Sequence, residues 1–141
     1  MADIKMTYQV NPAVPPIIDV LQSRIPPALG AIGAQAQAHA TANITANGTV
    51  DTGRLRSSIV FEVEGDTVAI GTNVNYAPYI EFGTGIYAEQ GGGRQTPWVY
   101  QNSRGEWVTT RGAQPHPFLR PAIEDNLTEY WLILQQILSG Q

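Results

Sequence analysis

The sequence predicts an α+β fold, in which a small antiparallel β-sheet packs against two main α-helices, with an extended N-terminal arm and a long hairpin/loop insert. Small and apolar residues recur four apart over 27–46, and an apolar stripe with helical spacing occupies 120–138. Between these segments, alternating polar and apolar residues in two adjacent runs indicate a β-hairpin. With 141 residues, the chain is predicted to form a single domain, 1–141.

The N-terminal arm, 1–25, is interrupted by prolines, but apolar residues at helical spacing predict a short helix over 15–24. Pro26-Pro27 is predicted to end that helix and to begin the next, because proline fits the first turn of a helix. The second helix is predicted over 27–46, and Asn47-Gly48 is predicted to end it. Its buried stripe is predicted to comprise Ala28, Ile32, Ala36, Ala40 and Ile44.

The first predicted hairpin has strands over 55–64 and 67–72, joined by a turn at Gly65-Asp66. The aromatic segment that follows, 76–82, is predicted to form one or two helical turns that place its rings against the sheet. The last helix is predicted to begin near Pro121, which suits a first helical position.

The glycine-rich insert, 84–114, is long for a connection inside a compact domain, and such loops are often functional. Within it, a second hairpin is predicted over 97–109, with a four-residue turn. In that register Trp98, Tyr100 and Trp107 share one face of the hairpin. We predict that this hairpin joins the sheet of the first, with both main helices on one face of that sheet.

Composition excludes several classes of function. The chain contains no cysteine, which excludes disulfides, thiol catalysis and cysteine-ligated zinc. A formal net charge of −4 disfavours a protein that binds nucleic acid by neutralising phosphates. No apolar run is long enough for a membrane-spanning helix. His116 lies between two prolines without a second candidate ligand, and neither a metal nor a cofactor is predicted.

Asp51-Thr52-Gly53 suggests catalysis, because aspartic proteases have their catalytic aspartate in this tripeptide. That chemistry requires two carboxylates that share a proton, and the neighbouring cation of Arg54 opposes the sharing. A dimeric aspartic protease using Asp51 is therefore the alternative, and a cap on a turn is the favoured interpretation.

Two further features have structural interpretations. Glu81 is predicted to pair with Arg54 or Arg56, and a buried carboxylate with a functional role is the alternative. The run Gly91-Gly92-Gly93-Arg94 lacks the Lys-Ser/Thr ending of a phosphate-binding loop and is predicted to be a flexible hinge.

Three segments in order carry a resemblance: DTGRLRSSI at 51–59, YAPYIEFGT at 76–84 and PHPFLRPA at 115–122. Together they resemble the tail-completion, or head–tail joining, proteins of siphophages and related prophages, over 27–138. The motif residues are Asp51, Gly53, Leu55, Arg56, Tyr76, Tyr79, Glu81, Phe82, Gly83, Pro115, Pro117, Phe118, Arg120 and Pro121.

The resemblance implies a non-enzymatic structural protein of the virion neck, which is synthesised and assembled in the host cytoplasm. It implies a homo-oligomeric ring, hexameric to match a tail tube of that symmetry, with no membrane association. The implied partners are head connector or stopper proteins on one side, and the tail terminator or tail tube protein on the other. DNA would pass through the lumen without specific binding. A tail terminator or another neck ring protein is the alternative within virion structure.

The arm and the insert fit the family pattern poorly, and the insert offers the side chains most suited to subunit contacts. Trp, Tyr and Arg are the residues most often found at the energetic centre of interfaces. The predicted interface residues are Arg94, Trp98, Tyr100, Arg104, Trp107 and Arg111. The alternative is that both tryptophans fold back on their own sheet.

Overall fold

The computed structural model describes residues 4–9, 19–48, 52–89 and 91–140, and it confirms the α+β class. The elements in chain order are β1 (Ile4–Gln9), α1 (Asp19–Asn47), α2 (Thr52–Ser57), β2 (Val60–Glu64), β3 (Thr67–Thr72), α3 (Ala77–Phe82), a 3-10 helix (Gly85–Tyr87), β4 (Trp98–Gln101), β5 (Trp107–Thr110), α4 (Leu119–Glu124) and α5 (Leu127–Leu138). The strands form a three-stranded antiparallel sheet in the order β1-β3-β2 and a separate two-stranded sheet, β4-β5.

The core lies between α1 and the three-stranded sheet, with α4 and α5 also packed against α1. All five residues of the predicted α1 stripe are buried. The small side chains on this helix allow close approach: a Cβ at Gly33 would lie 2.3 Å from the ring of Phe61 on β2. The helix ends at Asn47 and is followed by Gly48 with φ 62°, as predicted.

The prediction that Pro26-Pro27 divides two helices is wrong, because α1 continues through both prolines. An interior proline removes a backbone hydrogen bond and costs about 3 kcal/mol or more. Tertiary contacts outweigh that preference here, since Arg24 Nη1 donates to the Leu138 carbonyl at 3.0 Å and fixes the segment before the prolines. Of the predicted helix over 15–24, residues 15–18 lie outside the described residues.

The first hairpin is confirmed, with its turn at Gly65-Asp66, but its first strand begins later than predicted. Residues Thr52–Ser57 form α2 instead. Leu55 and Ile59 are both buried and four apart, a spacing that fits a helical turn as well as one face of a strand. The N-terminal arm, for which no strand is predicted, contributes β1, which pairs antiparallel with β3.

The C-terminal region contains two helices rather than the single one predicted, with a break at Asp125-Asn126. Asn126 Nδ2 donates to the Ala122 carbonyl at 3.1 Å, and the Tyr130 hydroxyl donates to the same carbonyl. These side chains take the place of the backbone N–H that would continue α4. Burial raises the pKa of Tyr130 to about 12, with a further contribution from the charge of Glu129, so the hydroxyl stays protonated as a donor.

The second hairpin forms, but its predicted register and its predicted place in the first sheet are both wrong. Trp98 pairs with Thr110 and Gln101 with Trp107, a shift of one residue. The cause is Asn102, whose Oδ1 accepts from the backbone N–H groups of Arg104 and Glu106 at 2.9 Å each. This closes a three-residue loop that ends at Gly105, with φ 79°.

The register shift moves Trp107 to the opposite face from the other two aromatic residues, because a slip of one residue inverts every side chain of a strand. We call the face with Trp98, Tyr100, Val108 and Thr110 the inner face of the hairpin. We call the face with Val99, Gln101, Trp107 and Thr109 the outer face.

Candidate functional site

Glu81 on α3 is fully buried, with 0% of its surface exposed, and its carboxylate accepts four hydrogen bonds. Oε2 accepts from the backbone N–H groups of Phe118 and Leu119 at 2.8 and 3.1 Å. Oε1 accepts from the backbone N–H and from Nε of Arg120, both at 3.0 Å. A side chain distant in sequence therefore satisfies the first N–H groups of α4, and the buried charge is compensated by charge-assisted hydrogen bonds.

Arg120 completes this arrangement from the other side. Its Nη1 lies 2.9 Å from Oε2 of Glu89, its Nη2 donates to the Glu81 carbonyl, and its guanidinium lies 4.8 Å from the centre of the Phe82 ring. Glu89 raises the pKa of Arg120 most, desolvation lowers it, and Glu81 raises it, so the guanidinium remains charged.

The predicted pairing of Glu81 with Arg54 or Arg56 is therefore wrong. Arg54 lies over the Tyr76 ring at 5.7 Å, and Arg56 Nη1 donates to Thr45 Oγ1 at 3.2 Å. Both arginines belong to α2 and have these other partners. The carboxylate and Arg120 are 39 residues apart, so no local sequence spacing could identify them as partners.

The segment 115–118 is held between α3 and the end of α1. The His116 N–H donates to the Ile80 carbonyl at 2.7 Å, and Asn47 Nδ2 donates to the carbonyls of His116 and Pro117. Asn43 Nδ2 donates to the Phe118 carbonyl at 3.1 Å. We call the assembly of α3, segment 115–118 and the start of α4 the motif junction, because two of the three motif segments meet there.

The first motif segment lies beside the junction and has a structural role in its described part. Leu55 is fully buried, and Ser58 Oγ lies 2.5 Å from Thr72 Oγ1 at the end of β3. Asp51 lies outside the described residues, so the protease alternative is untested by the geometry. Within the described ranges, no group of three or more His, Asp or Glu side chains could hold a metal ion.

The base of the insert is rigid because glycines bring its two ends into direct backbone contact. Gly85 has φ 61°, and a Cβ there would lie 1.9 Å from the Arg111 carbonyl oxygen. Thr84 N–H donates to the Ala113 carbonyl at 2.9 Å. Gly93 also packs closely, since its Cβ would lie 2.1 Å from the Gly85 carbonyl oxygen, whereas Gly91 and Gly92 have no atom near their Cβ positions; the hinge at 91–94 stays a prediction.

Beyond this base, the hairpin projects its outer face to solvent. Trp107 is 72% exposed and Val99 56% exposed, whereas Trp98 and Val108 on the inner face are half-buried. The alternative that both tryptophans fold back on their own sheet is therefore wrong for Trp107. Arg104 at the tip is exposed as well.

The inner face of the hairpin borders a cleft of about 560 Å³ beneath α3. We call it the α3 cleft. Its lining includes Tyr79, Phe82, Trp98, Ala88 and Arg94. Arg94 is exposed, and its guanidinium lies 5.6 Å from the centre of the Trp98 ring. Arg111, the last predicted interface residue, is also exposed, but it contributes its carbonyl to the base of the insert.

Residues 19–83 match the model of the HK97-gp10-like family, described as "Bacteriophage HK97-gp10, putative tail-component". The match begins with α1 and ends at Gly83, and so includes Glu81. Over this range the chain is thus similar to a bacteriophage tail component. This agrees with the resemblance carried by the three motif segments, and it supports a phage tail-related structural protein.

The matched range omits β1, the insert, α4 and α5. Comparison with curated proteins and with solved structures found no match. None of the helices in the described part of the chain has the length and apolar character needed to span a membrane.

Proposed function

We propose that the chain is a subunit of a homo-oligomeric ring, hexameric by the symmetry of the tail tube, that completes the tail and joins it to the DNA-filled head. Its proposed partners are other copies of itself, the connector or stopper proteins of the head, and the tail terminator or tail tube protein. Binding is the whole mechanism, and the protein is not an enzyme.

The observation that carries the proposal is the projecting hairpin on a rigid base, in a chain related to a phage tail component. A side chain such as Trp107, 72% exposed, is unusual on an isolated protein surface and typical of an interface anchor. The base of the hairpin is held by close glycine contacts, so the hairpin is presented in a defined orientation. A pre-ordered surface loses little entropy on association, which suits assembly.

The negative net charge fits a neck protein that forms a ring through which DNA passes. With a formal net charge of −4, the subunit offers no general attraction for phosphates, and DNA would slide past without specific binding. Salt-dependent DNA binding by the purified chain would contradict this part of the proposal.

The alternative within the virion is a tail terminator or another neck ring. Deletion of the gene from the phage distinguishes joining from tail termination when the lysate is examined by electron microscopy. Loss of a joining protein leaves filled heads beside tails of normal length, whereas loss of a terminator gives overlong tails. Intact infectious virions would contradict both.

The alternative from another class is a dimeric aspartic protease that uses Asp51. The Asp51→Asn variant decides this point, because removal of the carboxylate abolishes such catalysis. We expect the variant to complement the gene deletion fully, and loss of a peptidase activity together with infectivity would favour the protease.

A further inference from the structure

We propose that the outer face of the hairpin β4-β5 in one copy docks on the exposed face of β2 in the next copy. We call this face, which carries Val60, Glu62 and Glu64, the β2 surface. The inference rests on the proposed function, in which copies form a ring, and it names the two surfaces that meet.

The β2 surface lies at an open edge of the three-stranded sheet. Among the described strands, β2 pairs only with β3, and the side with Phe61 and Val63 packs against the core beneath α1. On the other side, Val60 is 56% exposed, and Glu62 and Glu64 are exposed as well. A shallow depression of about 110 Å³ between β2 and β3 adjoins Val60 and Glu62. An open edge with an exposed face is available for contact with another chain.

The charged residues in the middle of the chain are segregated by sign. Residues 57–90 contain five acidic residues and neither Lys nor Arg, whereas 91–120 contain four arginines and a single acidic residue. Three of these groups pair with each other, because Arg120 bonds to both Glu81 and Glu89. The remaining charge is therefore negative on the β2-β3 hairpin and positive on the insert.

These remaining opposite charges do not meet within one chain. In the part of the chain that the structure describes, Glu62 and Glu64 form no ion pair, and neither do Arg94, Arg104 and Arg111 of the insert. All five side chains are exposed, and the two hairpins belong to separate sheets. A second copy supplies one arginine-bearing hairpin for every β2 surface, so charge complementarity favours it as the occupant.

The one acidic residue of the insert does not oppose this contact. The register of β4 and β5 places Glu106 on the inner face, where its carboxylate accepts from Asn102 Nδ2 at 3.0 Å. The outer face carries Trp107 and no acidic residue. The face that projects to solvent is therefore the one whose surroundings suit an acidic partner surface.

Trp107 and Val60 form the apolar centre of the proposed contact, since both are largely exposed in the isolated chain. Arg104 precedes β5 and Arg111 follows it, so a cation lies at each end of the strand that carries Trp107. With Trp107 on Val60, one of these arginines approaches Glu62 whichever way the strand runs. An aromatic anchor with charges at its rim is typical of specific interfaces.

The same charges disfavour the two symmetric contacts. Two β2 surfaces would bring glutamates together, and two hairpins would bring arginines together, and like charges facing each other are destabilising. In the unlike pairing, each copy uses its hairpin towards one neighbour and its β2 surface towards the other. Such a heterologous contact generates a ring when the rotation between copies closes.

Photocrosslinking in phage particles tests the contact directly. Benzoylphenylalanine is placed at position 107 or at position 60 of the full chain during phage growth, purified particles are irradiated, and crosslinked peptides are identified by mass spectrometry. We expect covalent dimers in which position 107 is joined to residues 59–72 of a second copy and position 60 to residues 98–111. If the replacement at 107 blocks joining, the group is placed at Thr109 on the same face.

The matched control places the same group at Trp131, an exposed aromatic residue on α5. No crosslink from position 131 to residues 59–72 is expected. Crosslinks from the outer face to DNA, to another protein, to another surface of the second copy, or to nothing in particles that contain the variant would overturn the docking contact.

Charge reversal provides a second test in the same particles. Reversing both glutamates of the β2 surface, Glu62→Arg with Glu64→Arg, is expected to lower the yield of joined particles by about tenfold, and so is Arg104→Glu with Arg111→Glu. Combining the two pairs should recover most of the yield, because the attraction is restored with its sign exchanged. A combined variant no better than either pair would overturn the charge pairing.

Two controls separate a lost contact from other effects. Glu124→Arg, at an exposed glutamate on α4, changes the net charge without touching either surface and should leave the yield unchanged. Each purified variant should unfold at the urea concentration of the parent, because every substituted side chain is exposed.

The two levels of proposal fail separately. If deletion of the gene leaves normal particles, the proposed function is wrong. If the gene is required for joining but positions 107 and 60 crosslink elsewhere, the docking contact alone is wrong.

Discussion

The motif junction and the hairpin differ in where their side chains find partners. In the junction, the Glu81 carboxylate is enclosed and each of its oxygens accepts two hydrogen bonds. In the hairpin, Trp107 has most of its surface in solvent. The strands of the hairpin pair with each other and belong to no larger sheet.

This difference separates the stability of the fold from its capacity to bind. Residues of the junction join segments that are distant in sequence, so their loss should unfold or loosen the domain. Residues of the outer face contribute little to the isolated domain, and their loss should appear only when the chain assembles. Four predictions sharpen that contrast, from the largest expected effect on stability to the smallest.

Glu81→Ala is expected to lower the free energy of unfolding by about 3–5 kcal/mol, because it removes one partner of a buried charge network and leaves N–H groups of α4 without their acceptor. Urea unfolding monitored by circular dichroism measures the effect. The control is Glu62→Ala on β2, an exposed glutamate for which a change within about 0.5 kcal/mol is expected. Equal effects for the two variants would contradict the role of the junction.

Gly85→Ala is expected to cost on the order of 2–4 kcal/mol, since it combines a left-handed backbone with a clash against the Arg111 carbonyl. Gly91→Ala is the matched control, because Gly91 has φ 70° but no atom near its Cβ position. It should cost only about 1 kcal/mol, from backbone strain alone. Hydrogen exchange at Ile86 should rise in the Gly85 variant; unchanged protection would show that the base of the insert is not held by this contact.

The Tyr130 hydroxyl is expected to make stability fall at alkaline pH. The pKa is about 12 in the folded chain and near 10 when unfolded, so the protonated hydroxyl stabilises the fold fully below about pH 10. That contribution is lost as the pH rises through about 12. Tyr130→Phe should be less stable than the parent by about 1 kcal/mol at pH 7, and the gap should close as the pH rises. A gap that stays constant from pH 8 to pH 12 would contradict this.

Trp107→Ser is expected to change the free energy of unfolding by no more than about 0.5 kcal/mol, because the indole is largely exposed. The same variant should fail to complement the gene deletion. A large loss of stability would place Trp107 in the fold rather than at an interface.

Sequence patterns were sufficient where neighbours in the chain determine the structure. The spacing of Ala28, Ile32 and Ala36 identified the buried stripe of α1, and Asn47-Gly48 identified its end, because helical periodicity and left-handed glycine are local properties. The turn at Gly65-Asp66 was predicted for the same reason, because a short hairpin turn is determined by its own residues.

The failures have a common physical origin in contacts made by single side chains. Asn102 shifted the register of the second hairpin through two hydrogen bonds to its own loop. Asn126 and Tyr130 divided the last helix by bonding to one carbonyl. Glu81, inside the range that matches the family model, bonds to Arg120, which lies 39 residues later and outside that range. No periodicity in the sequence reveals this partner.

The resemblance identified the residues of the candidate site better than the patterns identified their roles. Glu81, Phe118 and Arg120 belong to the motif segments, and the structure brings them together in one network. The interface residues of the insert remain a prediction, and the split between the inner and outer faces could not be foreseen without the register.

The most direct test of the account removes the hairpin while keeping its base. Because Trp98 pairs with Thr110, residues 99–109 can be replaced by an Asn-Gly turn, which leaves Gly93, Arg111 and Gly112 in their contacts. We expect the shortened chain to unfold at nearly the same urea concentration as the parent, and phage that carry it to give filled heads and unattached tails of normal length. Infectious, fully joined virions from a folded, shortened chain would contradict the central claim that the hairpin is the assembly surface.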